Sequence, residues 1–401
     1  MTVDRNLPAL RAIQLTPFEH VDGRLFFELR DMLQIAPRPI AVSGAACFVL
    51  AHLDGQHTIA DVQRAFREQT GQHLPADEIE HLVAILDSHC FLDTPRFADA
   101  LAAQAEAYQA AACRDNRDRW PAADELRAAI DAMLCATEVE PIPHLRGIIA
   151  PHLDYRRGAP CYAAAYALLR NAGPADRYVI FGANHFGRSA SAVATKKDFQ
   201  TPLGRAVTDR AFIRRLEDRL GVDLCRFELD HRTEHSIELQ VHVLQYCWPD
   251  GEFEIVPILC PDICGPTGTA PANGYGPDLA DLADAVREIA QTDDRSTVLI
   301  AGADLSHVGR SFGADEPMTP DKLAELERFD RTVLGLIEIG DVEAAAEMVR
   351  ASANETNICS LGALYVWRRA LRNQQCRLLR YHQALDPETD TNVTCAAAAA
   401  W

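Results

Sequence analysis

Three short apolar runs, each broken by glycine or proline and each followed closely by histidine or aspartate, constrain this chain more than any other feature. In Arg146-Gly-Ile-Ile-Ala-Pro-His-Leu-Asp-Tyr155 the run from Gly147 to Ala150 stops at Pro151 and delivers His152. Tyr178-Val-Ile-Phe-Gly-Ala-Asn-His185 sets a histidine just beyond Phe181. Val298-Leu-Ile-Ala-Gly-Ala-Asp-Leu-Ser-His307 sets Asp304 and His307 just beyond Ile300. Runs of this kind read as strands buried on both faces, as in parallel sheets. In an open α/β sheet, ligands bind outside the carboxyl ends of such strands. Three strands releasing His or Asp at one edge therefore predict a metal-type crevice. The competing reading is that each side chain only caps or packs locally.

Length allows two domains. The net charge of −19 argues against a general nucleic-acid binder, because phosphate backbones select for stripes of Lys and Arg. No opening segment has a basic head with an apolar core, and no run approaches the ~18 apolar residues of a membrane span. The expectation is a cytoplasmic protein whose 12 scattered cysteines are mostly thiols. Cys260 and Cys264 form the tightest pair, a weak metal signal without a second pair.

Residues 1–95 read as a small separate domain, 96–140 as an alanine-rich helical connector, and 141–401 as an α/β domain. In the first, Arg24–Arg30 and Ile40–Val42 read as strands, Ser43 and Thr58 as helix caps, and Asp54-Gly55 as a turn. Ala76-Asp77 opens a third helix and Phe91-Leu92 closes with a short strand, which makes a winged-helix-like module. Its 14 Asp/Glu against 8 Arg over residues 1–100 speak against duplex binding. In the α/β domain a helix is expected to begin around Thr233-Glu-His-Ser-Ile-Glu238, capped by Thr233 or Ser236. Cys359 sits near the start of a helix that runs through Trp367, where a thiol has its pKa lowered and can ligate metal. The plainer reading of Cys359 is a small buried apolar residue. Ala396–Ala400 is too short to interpret.

Two resemblances add to this. The segment from Arg38 to Val62, with Ile40-Ala-Val42, Cys47-Phe-Val-Leu50, Leu53-Asp-Gly55 and Thr58-Ile-Ala-Asp61, resembles PqqD-like domains. That likeness implies peptide recognition by addition of a strand to a sheet edge. Residues 141–401 resemble the Memo family, also called AmmeMemoRadiSam system protein B. The matches are Ala150-Pro-His-Leu-Asp-Tyr155, Phe181-Gly-Ala-Asn-His185, Glu234-His-Ser-Ile-Glu238, Asp304-Leu-Ser-His307 and Asn357-Ile-Cys359. The resemblance implies a layered mixed sheet flanked by helices, similar to class III extradiol dioxygenases, around a mononuclear iron site.

Carried over by motif, His152 and His185 are the implied histidine ligands and Cys359 the third. In the dioxygenases a carboxylate stands there, so a softer and oxidisable thiolate puts ordinary ring cleavage in doubt. His307 resembles the acid/base histidine, with Asp304 beside it in the same loop. His235 and Glu234 are implied outer groups that orient the ligands. Asp154, in a Leu-Asp where many relatives have Ala-Gly, is a carboxylate near the pocket or a partner of Arg156 or Arg157.

Three functions follow as expectations. The first is a redox protein holding Fe(II), with copper or zinc as alternatives, in which His307 shuttles protons. The second is a binding or assembly protein that presents a peptide or partner to a radical-SAM enzyme through its N-terminal domain. The third is a zinc hydrolase, since His/His/Cys ligation with bound water suits zinc as well. No Gly-rich phosphate loop and no Gly-x-Ser-x-Gly elbow occurs.

Overall fold

The computed structural model describes residues 5–21, 23–134, 139–314 and 316–401, and the chain divides between residues 111 and 112 into two units. In the first, β1 (Gln14–Glu19), β2 (Leu25–Arg30) and β3 (Ile40–Ser43) form an antiparallel sheet in that order. The Ser43 hydroxyl accepts from the Ala46 amide and caps α1 (Gly44–Leu50). Thr58 and Asp61 bond reciprocally at the start of α2 (Ile59–Thr70), satisfying two otherwise orphan amides. Two further helices follow, α3 (Ala76–Ser88) and α4 (Pro95–Ala110). Leu29, Val42, Val62, Phe66, Ile79, Leu86 and Phe91 are buried at the centre. The strand expected at Phe91-Leu92 is only one bridge, Leu10 to Leu92.

The second unit opens with β4 (Cys113–Asp115) and α5 (Ala123–Leu134), so the stretch 96–140 is no single connector. The helix α4 belongs to the first unit, and β4 pairs into the large sheet of the second. Then come β5 (Gly147–Ala150), α6 (Tyr155–Ala172), β6 (Arg177–Ala183), β7 (Val193–Ala194), β8 (Asp198–Thr201), β9 (Gly204–Thr208) and α7 (Arg210–Leu220). They are followed by α8 (Glu238–Cys247), β10 (Glu254–Cys260) and α9 (Leu279–Gln291). The last part runs β11 (Thr297–Gly302), β12 (Asp304–Gly309), α10 (Pro320–Ile339), α11 (Val342–Ala351), α12 (Leu361–Ala370), β13 (Cys376–Asp386) and β14 (Thr391–Ala400).

The fold class is thus a mixed α/β sheet flanked by helices, preceded by a small antiparallel sheet unit. Its centre is four parallel strands in the order β5-β11-β6-β10. Side chains alternate between the faces, as the strand period of two requires. Val179 and Phe181 join the core beneath α7, α9 and α12, while Tyr178 and Ile180 join the core beneath α5, α6 and α8. Helices on both faces explain why β5, β6 and β11 read as unbroken apolar runs. Among the described residues, no helix is long and apolar enough to cross a membrane.

Two local expectations change. Asp304 and His307 lie not in a loop but on β12, which leaves the parallel layer after Ala303 and pairs antiparallel with β14. Residues 233–237 do not begin a helix: α8 starts at Glu238, and neither Thr233 nor Ser236 caps it. The Ser236 hydroxyl donates instead to the Ala183 carbonyl at the end of β6.

Candidate metal centre

The register aligns the strand ends that matter. Gly302 sits opposite Ala150, and Ala301 sits opposite both Ile149 and Phe181, so β5, β11 and β6 end side by side. His152 leaves the end of β5, His185 the end of β6, and Cys359 arrives from the segment before α12. One ligand atom from each of His152, His185 and Cys359 lies within 4.8 Å of the others. Cys359 Sγ is 3.5 Å from His152 Nε2. The rings of His152 and His185 stand edge to face, 4.8 Å between centroids.

Each histidine has its other nitrogen occupied. His152 Nδ1 lies 2.9 Å from the Gly302 carbonyl, to which it donates, leaving the Nε2 lone pair toward Cys359. His185 Nδ1 lies 3.0 Å from Glu234 Oε2, so its Nε2 is likewise the free ligating atom. Glu234 is buried and also accepts from the amides of His185, His235 and Ser236. Burial works against its charge, but His185 and His235 hold the carboxyl well below its usual range. A carboxylate so saturated with donors orients a ligand rather than exchanging protons. His235 stacks on His185 at 5.3 Å with its side chain partly exposed, and it forms the outer wall.

Asp304 accepts from the His152 amide at 3.0 Å and places Oδ2 3.5 Å from His152 Nε2. Ser360 Oγ in turn accepts from the Asp304 amide. Asp304 therefore supports His152, and no hydrogen bond joins it to His307. Burial pushes the Asp304 carboxyl up, partly countered by His307. His307 Nδ1 faces the carbonyls of Leu305 and Asn357 at 3.0 and 3.2 Å, which leaves Nε2 unprotonated. Burial lowers its pKa. The edge of Phe312 packs on its ring.

For Cys359, burial raises the pKa, but His152 and then His185 lower it, to about 6. The two imidazoles supply the lowering, and Cys359 itself lies one residue before Ser360, the cap of α12. Asp154 is not in the cluster. It caps α6 through the Arg157 amide and pairs with the Arg157 guanidinium, 49% exposed. Cys260 and Cys264 form no cluster either: burial pushes both thiols up, Cys264 to about 12, so neither is a ready thiolate.

Sequence reasoning missed Ser360, Gly302 and Gln240, whose amide donates to the Pro151 carbonyl. Of these only the glycine carried a signal, as the terminator of an apolar run. A Cβ at Gly302 would stand 2.6 Å from the main-chain oxygen of Ser236. Gly302→Ala should therefore cost about 1–3 kcal/mol by overpacking, read in denaturant melts, and an unchanged midpoint would contradict this packing.

Fold and cluster together define a mixed α/β protein that gathers two imidazoles and a thiol at the carboxyl edge of parallel strands. The profile of the Memo-like protein family matches residues 121–401, and the chain belongs to that family. Its relatives include a MEMO1 family protein of Aquifex aeolicus, 25% identical over 394 residues, 97% of this chain and 98% of the relative. Another, from Thermus thermophilus, is 27% identical over 338 residues, 83% of this chain and 95% of the relative. A third, from Methanopyrus kandleri, is 30% identical over 254 residues, 61% of this chain and 79% of the relative.

Proposed function

We propose that the chain holds one metal ion between His152 Nε2, His185 Nε2 and Cys359 Sγ, and serves redox or oxygen-related chemistry. The observation that carries this reading is the convergence of those three donors within 4.8 Å. The donor set fits such an ion. Imidazole suits iron, copper and zinc alike, and a thiolate turns the site away from magnesium and calcium. Fe(II) is the first candidate, and copper and zinc fit the same donors. When bound, the ion would supply a redox-active or Lewis-acidic centre with room for a further ligand. The chain's own part is to orient and to move protons. Glu234 and the Gly302 carbonyl fix the two rings, and neutral His307 accepts a proton at Nε2 from a substrate group.

Protein purified without oxygen is expected to carry about one equivalent of iron, copper or zinc, measured by elemental analysis. A wild type that is metal-free and takes up none of the three overturns the reading. Reconstitution with each metal in turn, followed by assays for oxygen uptake and for ester or peptide cleavage, separates redox from hydrolytic use.

A second reading rests on the first unit. All six residues of β1 are exposed at the edge of its sheet, with Leu15 and Phe18 among them. Such an edge suits addition of a peptide strand, in keeping with a PqqD-like role that presents a peptide to a radical-SAM enzyme. On that reading the cell's use of the protein survives loss of Cys359, and residues 1–111 within the full chain retain a defined peptide.

A further inference from the structure

The turn that carries Glu234 into the metal centre is held from behind by a segment lying before the family match. Arg114 on β4 is 1% exposed, with its guanidinium 4.6 Å from the centre of the Phe199 ring. Its Nε donates to the His231 carbonyl at 2.6 Å, and its Nη2 donates to the Glu234 carbonyl and to Glu238 Oε2. Asn116 Nδ2 donates to the Arg232 carbonyl at 3.1 Å, and Arg119 Nη1 to the Thr233 carbonyl at 3.2 Å. Four consecutive carbonyls, 231 to 234, thus accept from three side chains of residues 114–119. These side-chain bonds hold the four carbonyls just ahead of α8, which begins at Glu238.

From the same turn, on its other side, the Glu234 carboxylate grips His185 Nδ1 and three main-chain amides. We propose that Arg114, assisted by Asn116 and Arg119, is a positioning residue for the metal centre: it sets the main chain of 231–234 so that Glu234 keeps His185 Nε2 aimed at the ion. The inference rests on the reading of His152, His185 and Cys359 as ligands. It places part of that centre's support in β4 and the residues after it, ahead of residue 121 where the family match begins. An arginine suits the task because its planar fork can reach separate acceptors at fixed angles, where a lysine offers one point charge.

The full chain is titrated with Co(II) without oxygen, following the thiolate-to-metal absorption, as wild type, Arg114→Met, Arg114→Lys and Arg177→Met. Arg114→Lys keeps a cation for Glu238, and serves should Arg114→Met fail to fold. Arg177 is the control. It is equally buried and bonded to Asp209, Asp293 and Thr297, but it starts β6 at the end away from His185. Cobalt affinity is expected to fall about 10- to 100-fold in the Arg114 variants, the usual cost of losing an outer support, and by less than about twofold in Arg177→Met. Equal affinity in Arg114→Lys and wild type, or an equal loss in Arg177→Met, overturns the proposal. In metal-free protein, the hydrogen-bonded Nδ1 proton of His185, assigned with His185→Gln, is expected to be lost or shifted by Arg114→Lys and retained by Arg177→Met. Were the wild type to take up no cobalt, the ligand reading would fall, and this resonance alone would decide for or against the clamp.

Discussion

Cys359→Ser should weaken binding of Fe(II), Cu(I) or Zn(II) on the order of a thousandfold, while unfolding in denaturant stays within about 1 kcal/mol of wild type. Loss of an outer support commonly costs 10- to 100-fold in affinity, and removing a donor itself exceeds that. The thiol is poised at about 6 by His152 and His185 against the opposing effect of burial, so it is largely thiolate at neutral pH. Sulfur itself therefore has little proton left to release at pH 7, whereas His185, lowered by burial but carried well above the usual imidazole range by Glu234 and Cys359, must give up its Nε2 proton to bind the ion. A serine hydroxyl in place of the thiol has no such poise. The fold should tolerate the change, because Cys359 precedes α12 and the replacement is nearly isosteric. Cys359→Asp provides the sharper contrast. It restores two histidines and a carboxylate, a set that holds Fe(II) and lacks the soft donor favoured by Cu(I). Competition with chelators of known affinity measures both variants. Undiminished binding by Cys359→Ser would exclude sulfur as a ligand.

The ligand set was legible because its carriers are the most constrained strands in the molecule. β5, β6 and β11 lie side by side under helices on both faces, so their sequences are apolar throughout and stop abruptly where the ligand is released. Cys359 stood out as a candidate thiol near a helix start, but only the resemblance made it the third ligand, since a cysteine before a helix has several ordinary uses. Other parts were hidden by tertiary context. Alanine has the highest helix propensity of any residue type, yet Ala396–Ala400 forms the second half of β14, a strand buried along its whole length, because β13 and β5 pair with it from both sides. Residues 233–237 read as a capped helix start, but they form a turn next to carbonyls 231–234, which are bonded by side chains from residues 114–119. Nothing in the pattern around Arg114 marks a residue that bonds across more than a hundred positions. β1 escaped notice because all six of its residues are exposed, so no alternation of burial marks it.

Acid should destabilise the protein steeply between pH 6.5 and about 4, and His242→Asn should remove part of that slope. His231 and His242 are buried. Desolvation lowers both imidazoles, His231 to about 3 and His242 to about 4, against an ordinary value of 6.5. His231 donates from Nε2 to the Val193 carbonyl, and His242 Nδ1 lies 3.2 Å from the Tyr155 hydroxyl, so each is at home in its neutral form. Above pH 6.5 both are neutral folded or unfolded, and they add no pH dependence. Below it the unfolded chain gains protons that the folded chain refuses until its own lowered pKa is reached. Each histidine then removes about 1.4 kcal/mol of stability per pH unit, so the pair removes roughly 5 kcal/mol by about pH 4.5. That is a large share of the 5–15 kcal/mol typical of a folded domain, approximately. Asp230, Asp304 and Asp330, raised by burial, act in the opposite sense by taking up protons in the folded state first. Their contribution is common to wild type and variant and cancels in the difference. Asn at 242 can still bond the Tyr155 hydroxyl and cannot titrate. Denaturant melts of metal-free wild type and His242→Asn from pH 7 to pH 4 should therefore diverge by about 1.4 kcal/mol per unit below pH 6.5. Parallel curves would mean that His242 is already protonated in the folded protein, with Glu238 as its partner.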